Sequence, residues 1–322
     1  MNTRNYCFVA ASLLFPVLGT GASIQGPELG LVFDSAKGEL RQILGIPGAA
    51  VLGRPMALGV AVRKVAVSPL GDYVLAIGGE HNDAMVFAVG RNPLVVSGAD
   101  RGAEQIALSV GGKSAALYYK QTNRIEVVAG FPGEPKVTAE YSLSSGQTLT
   151  AMAISDDGKM VLAAAGGRVF QVTTGGETPV AGDLGRVVSI AIPTAGEAFI
   201  ADNARNEILR VKGIGAGIET DVVAGSKNGI NSPVAVAVAR DGSRAFVANA
   251  KPGTVSIIDL RGEAAVKTVD CACKPTGLDR LAGNEVFRLT EFSKQPIWTV
   301  DAGGTEARVL FVPAEAAGST EQ

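Results

Sequence analysis

The sequence contains few of the residues that catalytic and metal sites most often use. Its 322 residues include one histidine, His81, one tryptophan, Trp298, and three cysteines. No serine stands in the G-x-S-x-G context of a nucleophile elbow, and a single histidine falls short of a zinc ligand set. We therefore predict no catalytic residues, no metal site and no cofactor, and we interpret His81 as a solvated loop residue.

Charge is also scarce and balanced. There are 29 basic and 31 acidic residues, which gives a net charge of −2. A protein that binds nucleic acid usually carries a basic excess or a basic face. The balance predicts no nucleic-acid partner.

Long hydrophobic runs are missing except near the start of the chain. Arg4 precedes an apolar run at residues 7–18, and small residues follow it up to Ala22. This order is typical of a secretory signal, so we expect residues 1–22 to be removed and the protein to be exported, periplasmic or extracellular. The alternative is an ordinary buried N-terminal strand. No other run reaches the roughly 18 residues that span a bilayer, so the mature chain should have no transmembrane segment.

Glycine, by contrast, is abundant, with 41 residues that punctuate a repeat. Six copies of a short strand, a glycine turn and a second strand recur along the chain. Their turn glycines are Gly71, Gly112, Gly158, Gly196, Gly242 and Gly283. A spacing of 38 to 46 residues is the length of one four-stranded propeller blade.

The repeat predicts an all-β fold, a β-propeller of four-stranded blades. Residues 31–36 and 39–45 look like a surplus third and fourth strand before the first full copy. We therefore expect seven blades, one of them closed by strands from both chain ends, with six blades as the alternative. Residues 24–314 should form a single domain and a monomer, and residues 315–322 a frayed tail.

Two segments carry a family resemblance, AFIADNARNEILRV at 198–211 and AFVANAKPGTVSIIDL at 245–260. They resemble the NHL-type and YVTN-type propeller repeats, respectively. The resemblance implies a fold rather than a chemistry. Calcium-dependent lactonases and lyases share this class of repeat, and they place Glu, Asn and Asp side chains at the centre of the ring. A propeller enzyme of that metal-dependent lactonase or lyase type is therefore the alternative function.

The loops between second and third strands gather on one face of a propeller and supply candidate binding residues. They include Asp202, Asn203, Arg205, Asn249, Lys251 and Arg124. With no catalytic set in the sequence, we expect a non-enzymatic binding or scaffolding propeller outside the cytoplasm. Its partner would be a protein, a peptide or an envelope polymer, and the ligand is not identified by the sequence.

Two cysteines stand two residues apart, Cys271 and Cys273. In an exported chain this pair favours a disulfide, although the ring that it closes is very small. Free thiols and a soft-metal site are the alternatives, and the metal site would lack further protein ligands.

Overall fold

The computed structural model of the chain describes residues 26–314 apart from Val89, Ser145, Gln147, Glu263, Ala264, Ser293 and Lys294. The expected signal segment 1–22 and tail 315–322 lie outside these residues. The described chain forms seven antiparallel sheets and a short 3-10 turn at Ser226–Asn228. No helix in this part of the chain has the length and apolar character needed to cross a membrane.

Each sheet is one blade, built from strands that follow one another in the chain. Blade 1 has three strands, β1 (Glu28–Asp34), β2 (Glu39–Ile46) and β3 (Ala49–Ala57). Blade 2 has β4 (Val62–Val67), β5 (Tyr73–Gly78), β6 (Asp83–Ala88) and β7 (Leu94–Val95). Blade 3 has β8 (Gln105–Leu108), β9 (Ser114–Tyr119), β10 (Arg124–Ala129) and β11 (Lys136–Ser142). Blade 4 has β12 (Ala151–Ile154), β13 (Val161–Ala165), β14 (Arg168–Thr173) and β15 (Gly176–Ala181).

The other three blades have four strands each. Blade 5 has β16 (Val187–Ala191), β17 (Ala198–Asp202), β18 (Glu207–Lys212) and β19 (Glu219–Ala224). Blade 6 has β20 (Pro233–Val238), β21 (Arg244–Asn249), β22 (Thr254–Asp259) and β23 (Val266–Asp270). Blade 7 has β24 (Asp279–Arg280), β25 (Val286–Arg288), β26 (Ile297–Asp301) and β27 (Arg308–Val312).

The turn between first and second strands explains the glycine period. In blade 2 the Ser68 amide donates to the Tyr73 carbonyl and the Gly71 amide to the Ser68 carbonyl, while Gly71 itself has a φ of 73°. A residue with a Cβ rarely adopts that φ, so glycine fits the turn. The Tyr73 hydroxyl then donates to the Gly112 carbonyl of blade 3 at 2.6 Å, which joins neighbouring turns.

The core lies between the blades. Seven clusters of buried apolar side chains are each built from two consecutive blades. The cluster that closes the ring packs Leu281, Val286 and Ile297 of blade 7 against Leu29 and Val32 of blade 1. The predicted all-β propeller with seven blades is therefore confirmed.

The closure of the ring differs from the expected one. Within residues 26–314 no C-terminal strand joins the first sheet, because β26 and β27 complete the blade of the last copy. The surplus N-terminal strands were expected to be the third and fourth strands of a blade. They are instead its second and third strands, since β1 is the counterpart of a second strand. Asp34 Oδ1 accepts from the Ala36 and Lys37 amides at 3.0 and 3.2 Å, as Asp202 Oδ1 does after β17.

Candidate binding site in the central channel

The first strands of blades 2 to 7 surround a central cavity of about 630 Å³. Most of the residues that line it are apolar, and the majority of these belong to β4, β8, β12, β16 and β20. The charged side chains of the wall are Arg63, Lys64, Asp279, Arg280, Arg288 and Glu291. All six belong to blade 2 or blade 7, the two neighbours of the three-stranded blade, so the polar part of the channel is concentrated on one side.

One inner position shows how blade 7 departs from the repeat. In five consecutive blades an alanine of the first strand pairs with an apolar residue of the second. The pairs are Ala66–Leu75, Ala107–Ala116, Ala153–Leu162, Ala191–Phe199 and Ala237–Phe246. At this position blade 7 pairs Asp279 with Arg288. An ionic pair therefore replaces an apolar pair that the fold uses five times.

Arg288 holds two carboxylates at the channel wall. Its Nη2 donates to Asp279 Oδ2 at 2.6 Å, and its Nη1 donates to Glu291 Oε2 and the Thr290 carbonyl, both at 3.2 Å. The Arg288 side chain is 8% exposed, whereas those of Asp279 and Glu291 are 55% and 70% exposed. The arginine is thus enclosed, and one oxygen of each exposed carboxylate is left without a hydrogen bond from the described residues.

The electrostatics of this cluster follow from its enclosure. Burial alone would lower the pKa of Arg288, but the Asp279 and Glu291 carboxylates outweigh it and the pKa is raised. Enclosure inside the ring raises the pKa of Asp279, and the charge of Arg288 opposes that rise. Arg280 brings a second guanidinium to the same wall, so blade 7 contributes two acidic and two basic side chains to the channel.

Among the described residues, blade 1 has no first strand beside this cluster, so this part of the chain leaves an opening there. Its β1 is a second strand, and Phe33 and Ser35 at its end line the cavity directly. Arg63 and Lys64 of blade 2 stand on the other side of the opening and are exposed. The opening therefore has two carboxylates and two guanidinium groups on its blade 7 wall and two basic side chains on its blade 2 wall.

Arg280 has a structural role. Its guanidinium donates to the Asn284 carbonyl at 2.6 Å and to the Val238 carbonyl, and it lies 4.7 Å from the centre of the Phe287 ring. Burial lowers its pKa to about 10, so the side chain remains charged at neutral pH. It holds the first strand of blade 7 against blade 6.

Two of the loop residues expected to bind a ligand are fully buried. Asp202 accepts from the backbone amides of Gly185, Arg186, Ala204 and Arg205. Burial would raise its pKa, but these four amides prevail and the pKa is lowered. The Asn249 amide group donates to Thr254 and Ser256, and its oxygen accepts from the Asn231 amide. Both side chains therefore organise loops from within and present no polar atom to a ligand.

The other four loop residues lie apart from the channel site. Asn203 donates to the Pro233 carbonyl at 2.8 Å, and Arg205 and Lys251 are exposed. Arg124 forms an ion pair with Glu126 at 2.8 Å, and Glu126 is completely buried. The hydrogen bond to the Glu126 carboxylate is the largest effect on the pKa of Arg124 and raises it. Burial alone would lower this pKa, but the carboxylate contact prevails and the pKa is raised.

The cysteine pair lies on the loop between blades 6 and 7. Cys271 and Cys273 are joined by a disulfide, with their Cα atoms 5.0 Å apart. Gly253 lies against this loop, where an added Cβ would meet the Cys273 carbonyl at 2.5 Å. His81 is exposed in the turn that follows β5.

The metal-dependent alternative finds no ligand set in the part of the chain that the structure describes. No group of three or more His, Cys, Asp or Glu side chains is arranged there to hold a metal ion. The channel wall has two carboxylates, Asp279 and Glu291, and both are bound by Arg288.

When the copies are aligned on their turn glycines, Asp279 does not fall opposite the alanines at the same strand position in the other blades. Gly71 stands three residues after Ser68, whose amide closes the turn, but Gly283 stands two residues after its counterpart Leu281. Glycine alignment therefore places Asp279 opposite Val67 rather than opposite Ala66. The strand pairing supplies the register that the glycine spacing does not.

Comparison with known proteins supports the fold alone. No family model and no curated protein matches the chain. One similar structure is a catalytically inactive virginiamycin B lyase variant from Staphylococcus aureus with quinupristin, at 14% identity, a TM-score of 0.58, and coverage of 80% of this chain and 86% of that one. Another is a functionally unknown protein from Desulfotomaculum acetoxidans, at 14% identity, a TM-score of 0.61, and coverage of 90% and 100%.

Proposed function

We propose that this protein is a non-enzymatic binding propeller that acts outside the cytoplasm and holds its ligand at the channel opening between blades 7, 1 and 2. One observation carries the proposal: Asp279–Arg288 replaces the alanine–apolar pair of five other blades. The fold itself does not require charge at that position.

An enclosed ion pair is a costly way to fill such a position. Desolvation of the enclosed Arg288 offsets much of its attraction to the carboxylates, and apolar side chains of similar size often give equal or greater stability. Departures from a local pattern of this kind are expected where function requires them. The free oxygens of Asp279 and Glu291 are then available to a ligand.

The dimensions of the site limit what can enter. A cavity of about 630 Å³ lies within the range of small-molecule sites, roughly 300–1,000 Å³, and is too small for a folded domain. A peptide segment or a segment of an envelope polymer fits this volume. The exposed carboxylates Asp279 and Glu291 on blade 7 and the basic pair Arg63 and Lys64 on blade 2 favour a segment that carries charges of both signs.

The proposed location depends on the N-terminal sequence. Arg4, the apolar run at 7–18 and the small residues up to Ala22 support export with cleavage after Ala22. The intact mass of the protein recovered from its native compartment tests this. A chain beginning at Ser23 outside the cytoplasm supports the proposal, and a full-length cytoplasmic chain contradicts it.

Photo-cross-linking tests the binding site itself. A photo-reactive amino acid at Ser35, which is exposed and lines the cavity, should form adducts in intact cells. The same group at Thr220, exposed on the outer strand β19, is the matched control. Adducts that form at Ser35 and disappear in the Asp279→Ala/Arg288→Leu background support the proposal. Equal adducts at both positions, or none at Ser35, contradict it.

A further inference from the structure

Among the described residues, the inner edge of β1 has no strand partner, whereas the second strand of every other blade pairs with a first strand. In blade 2, Leu75 and Ile77 of β5 pair with Ala66 and Lys64 of the first strand. In blade 1, Leu29 corresponds to Tyr73 of blade 2. Leu31 and Phe33, two and four residues after Leu29, are therefore the counterparts of Leu75 and Ile77. Within residues 26–314, β1 pairs with β2 alone.

The hydrogen bond of Leu29 at the start of β1 shows which backbone groups of this strand point toward the channel. The Leu29 carbonyl accepts from the Ala282 amide of blade 7 at 2.7 Å, as the Tyr73 carbonyl accepts from Ser68 at 2.9 Å. Leu29 therefore directs its backbone groups inward. Because these directions alternate along a strand, Leu31 and Phe33 also direct their amides and carbonyls toward the channel.

We propose that this edge binds an extended peptide strand of a partner protein, which completes blade 1 as its innermost strand. An edge with aligned free donors and acceptors is a template for strand addition, and backbone hydrogen bonds then supply the affinity. This inference rests on the proposed function, because it names the ligand class of the same site.

The two walls beside the edge specify the peptide. Residues that pair with Leu31 and Phe33 face blade 2, where Val65 and Val67 belong to the apolar cluster with Leu31. Residues between them face blade 7, where Asp279 and Arg288 stand. The partner segment therefore alternates small apolar side chains with polar side chains, preferably basic ones that reach the free carboxylate oxygens.

The sequence spacing between paired residues of the first and second strands indicates why the added strand comes from a partner. Ala66 stands nine residues before Leu75, and Asp279 stands nine before Arg288. Nine residues before Leu31 is Ala22, the residue after which we expect the signal to be cleaved. Cleavage there removes the chain's own residues at and before that position, so export itself would leave the edge to another protein.

Amide hydrogen exchange tests this on the mature chain, residues 23–322. The Leu31 and Phe33 amides should exchange at least about 10-fold faster than those of Leu75 and Ile77, which are bonded to β4. The probe is a peptide with the sequence of residues 232–240, the first strand of blade 6, carrying Val236→Lys and Val238→Lys. It should slow exchange at Leu31 and Phe33 only.

Two control peptides separate backbone pairing from charge. The same probe with Ala237→Pro lacks the amide that would donate to the Leu31 carbonyl and should give no protection. The peptide without lysines should bind about 10-fold more weakly, since a hydrogen bond to a charged group contributes roughly 1.5–3 kcal/mol.

Three results would overturn the proposal. The first is that Leu31 and Phe33 are already as protected as Leu75 and Ile77 in the free mature chain, which would mean that its own residues or a second copy cover the edge. The second is that millimolar probe leaves exchange at Leu31 unchanged. The third is equal protection by the proline peptide. Cross-linking at Ser35 remains informative in each case, because a ligand can occupy the channel without pairing with β1.

Discussion

Replacing the channel ion pair by the pair that other blades use should leave the fold intact. Asp279→Ala combined with Arg288→Leu recreates the Ala–Leu pair found at Ala66–Leu75 and Ala153–Leu162. We expect the double variant to unfold within about 1 kcal/mol of the wild type, because an apolar pair of similar size is often neutral or stabilising.

The two single variants should behave differently from each other. Asp279→Ala removes a 2.6 Å partner from an arginine that is 8% exposed, which leaves Glu291 at 3.2 Å as its only carboxylate among the described residues. A destabilisation of about 1–3 kcal/mol is expected for an enclosed charge that loses its main partner. Arg288→Leu leaves Asp279 more than half exposed to channel water, so its cost should stay below about 1 kcal/mol.

Urea unfolding of the wild type and the three variants measures this coupling. The double variant should be more stable than Asp279→Ala alone by about 1–3 kcal/mol, since the second change removes the stranded charge. If the double variant instead loses the sum of the single effects, or is less stable than Asp279→Ala, the pair is needed for folding. A role of the pair in folding would then explain its charges without any ligand.

Three further predictions concern residues away from the channel. Asp202→Asn should destabilise by about 1–3 kcal/mol at neutral pH, because an amide oxygen cannot serve all four backbone donors. Since the pKa of Asp202 is lowered in the fold, its contribution is complete above the unfolded value near 3.9 and is lost as pH falls below it. The Tm difference between wild type and Asp202→Asn should therefore shrink below about pH 4, and a difference that grows there would contradict this. Tyr73→Phe should cost about 1 kcal/mol in urea unfolding by removing the hydrogen bond to Gly112, and an unchanged midpoint would refute it. The intact mass of the exported chain should be two hydrogens lower than that of a chain with free thiols at Cys271 and Cys273, and neither cysteine should be alkylated. Alkylation of both cysteines would contradict the bridge.

The sequence predicted the ring because one physical requirement recurs in each blade. A tight turn between two short apolar strands needs positive φ, and Gly71 and Gly112 supply it at a regular interval. The same regularity allowed the number of blades to be predicted.

The sequence did not predict how the ring closes or where its charges meet. Residues 31–45 read as third and fourth strands because alternation alone does not distinguish strand positions within a blade. The buried carboxylate of Asp34 and its turn, shared with Asp202, establish that β1 is a second strand.

The loop-face residues show a second limit of sequence reasoning. Asp202 and Asn249 are polar loop residues in the sequence, yet their side chains point inward to satisfy backbone amides that a loop leaves unpaired. Asp279 and Arg288 lie within apolar strand patterns, where only the pairing register reveals that five other blades have apolar pairs at the same position.

The proposed binding site is the channel and not the loop face. Capture of the cross-linked partner by two variants tests it most directly: Asp279→Ala/Arg288→Leu in the channel, and Arg205→Ala/Lys251→Ala on exposed loops. We expect at least about a 10-fold loss of capture for the channel variant, equivalent to roughly 1.4 kcal/mol, with capture by the loop variant unchanged. Loss in the loop variant with capture retained by the channel variant would contradict it.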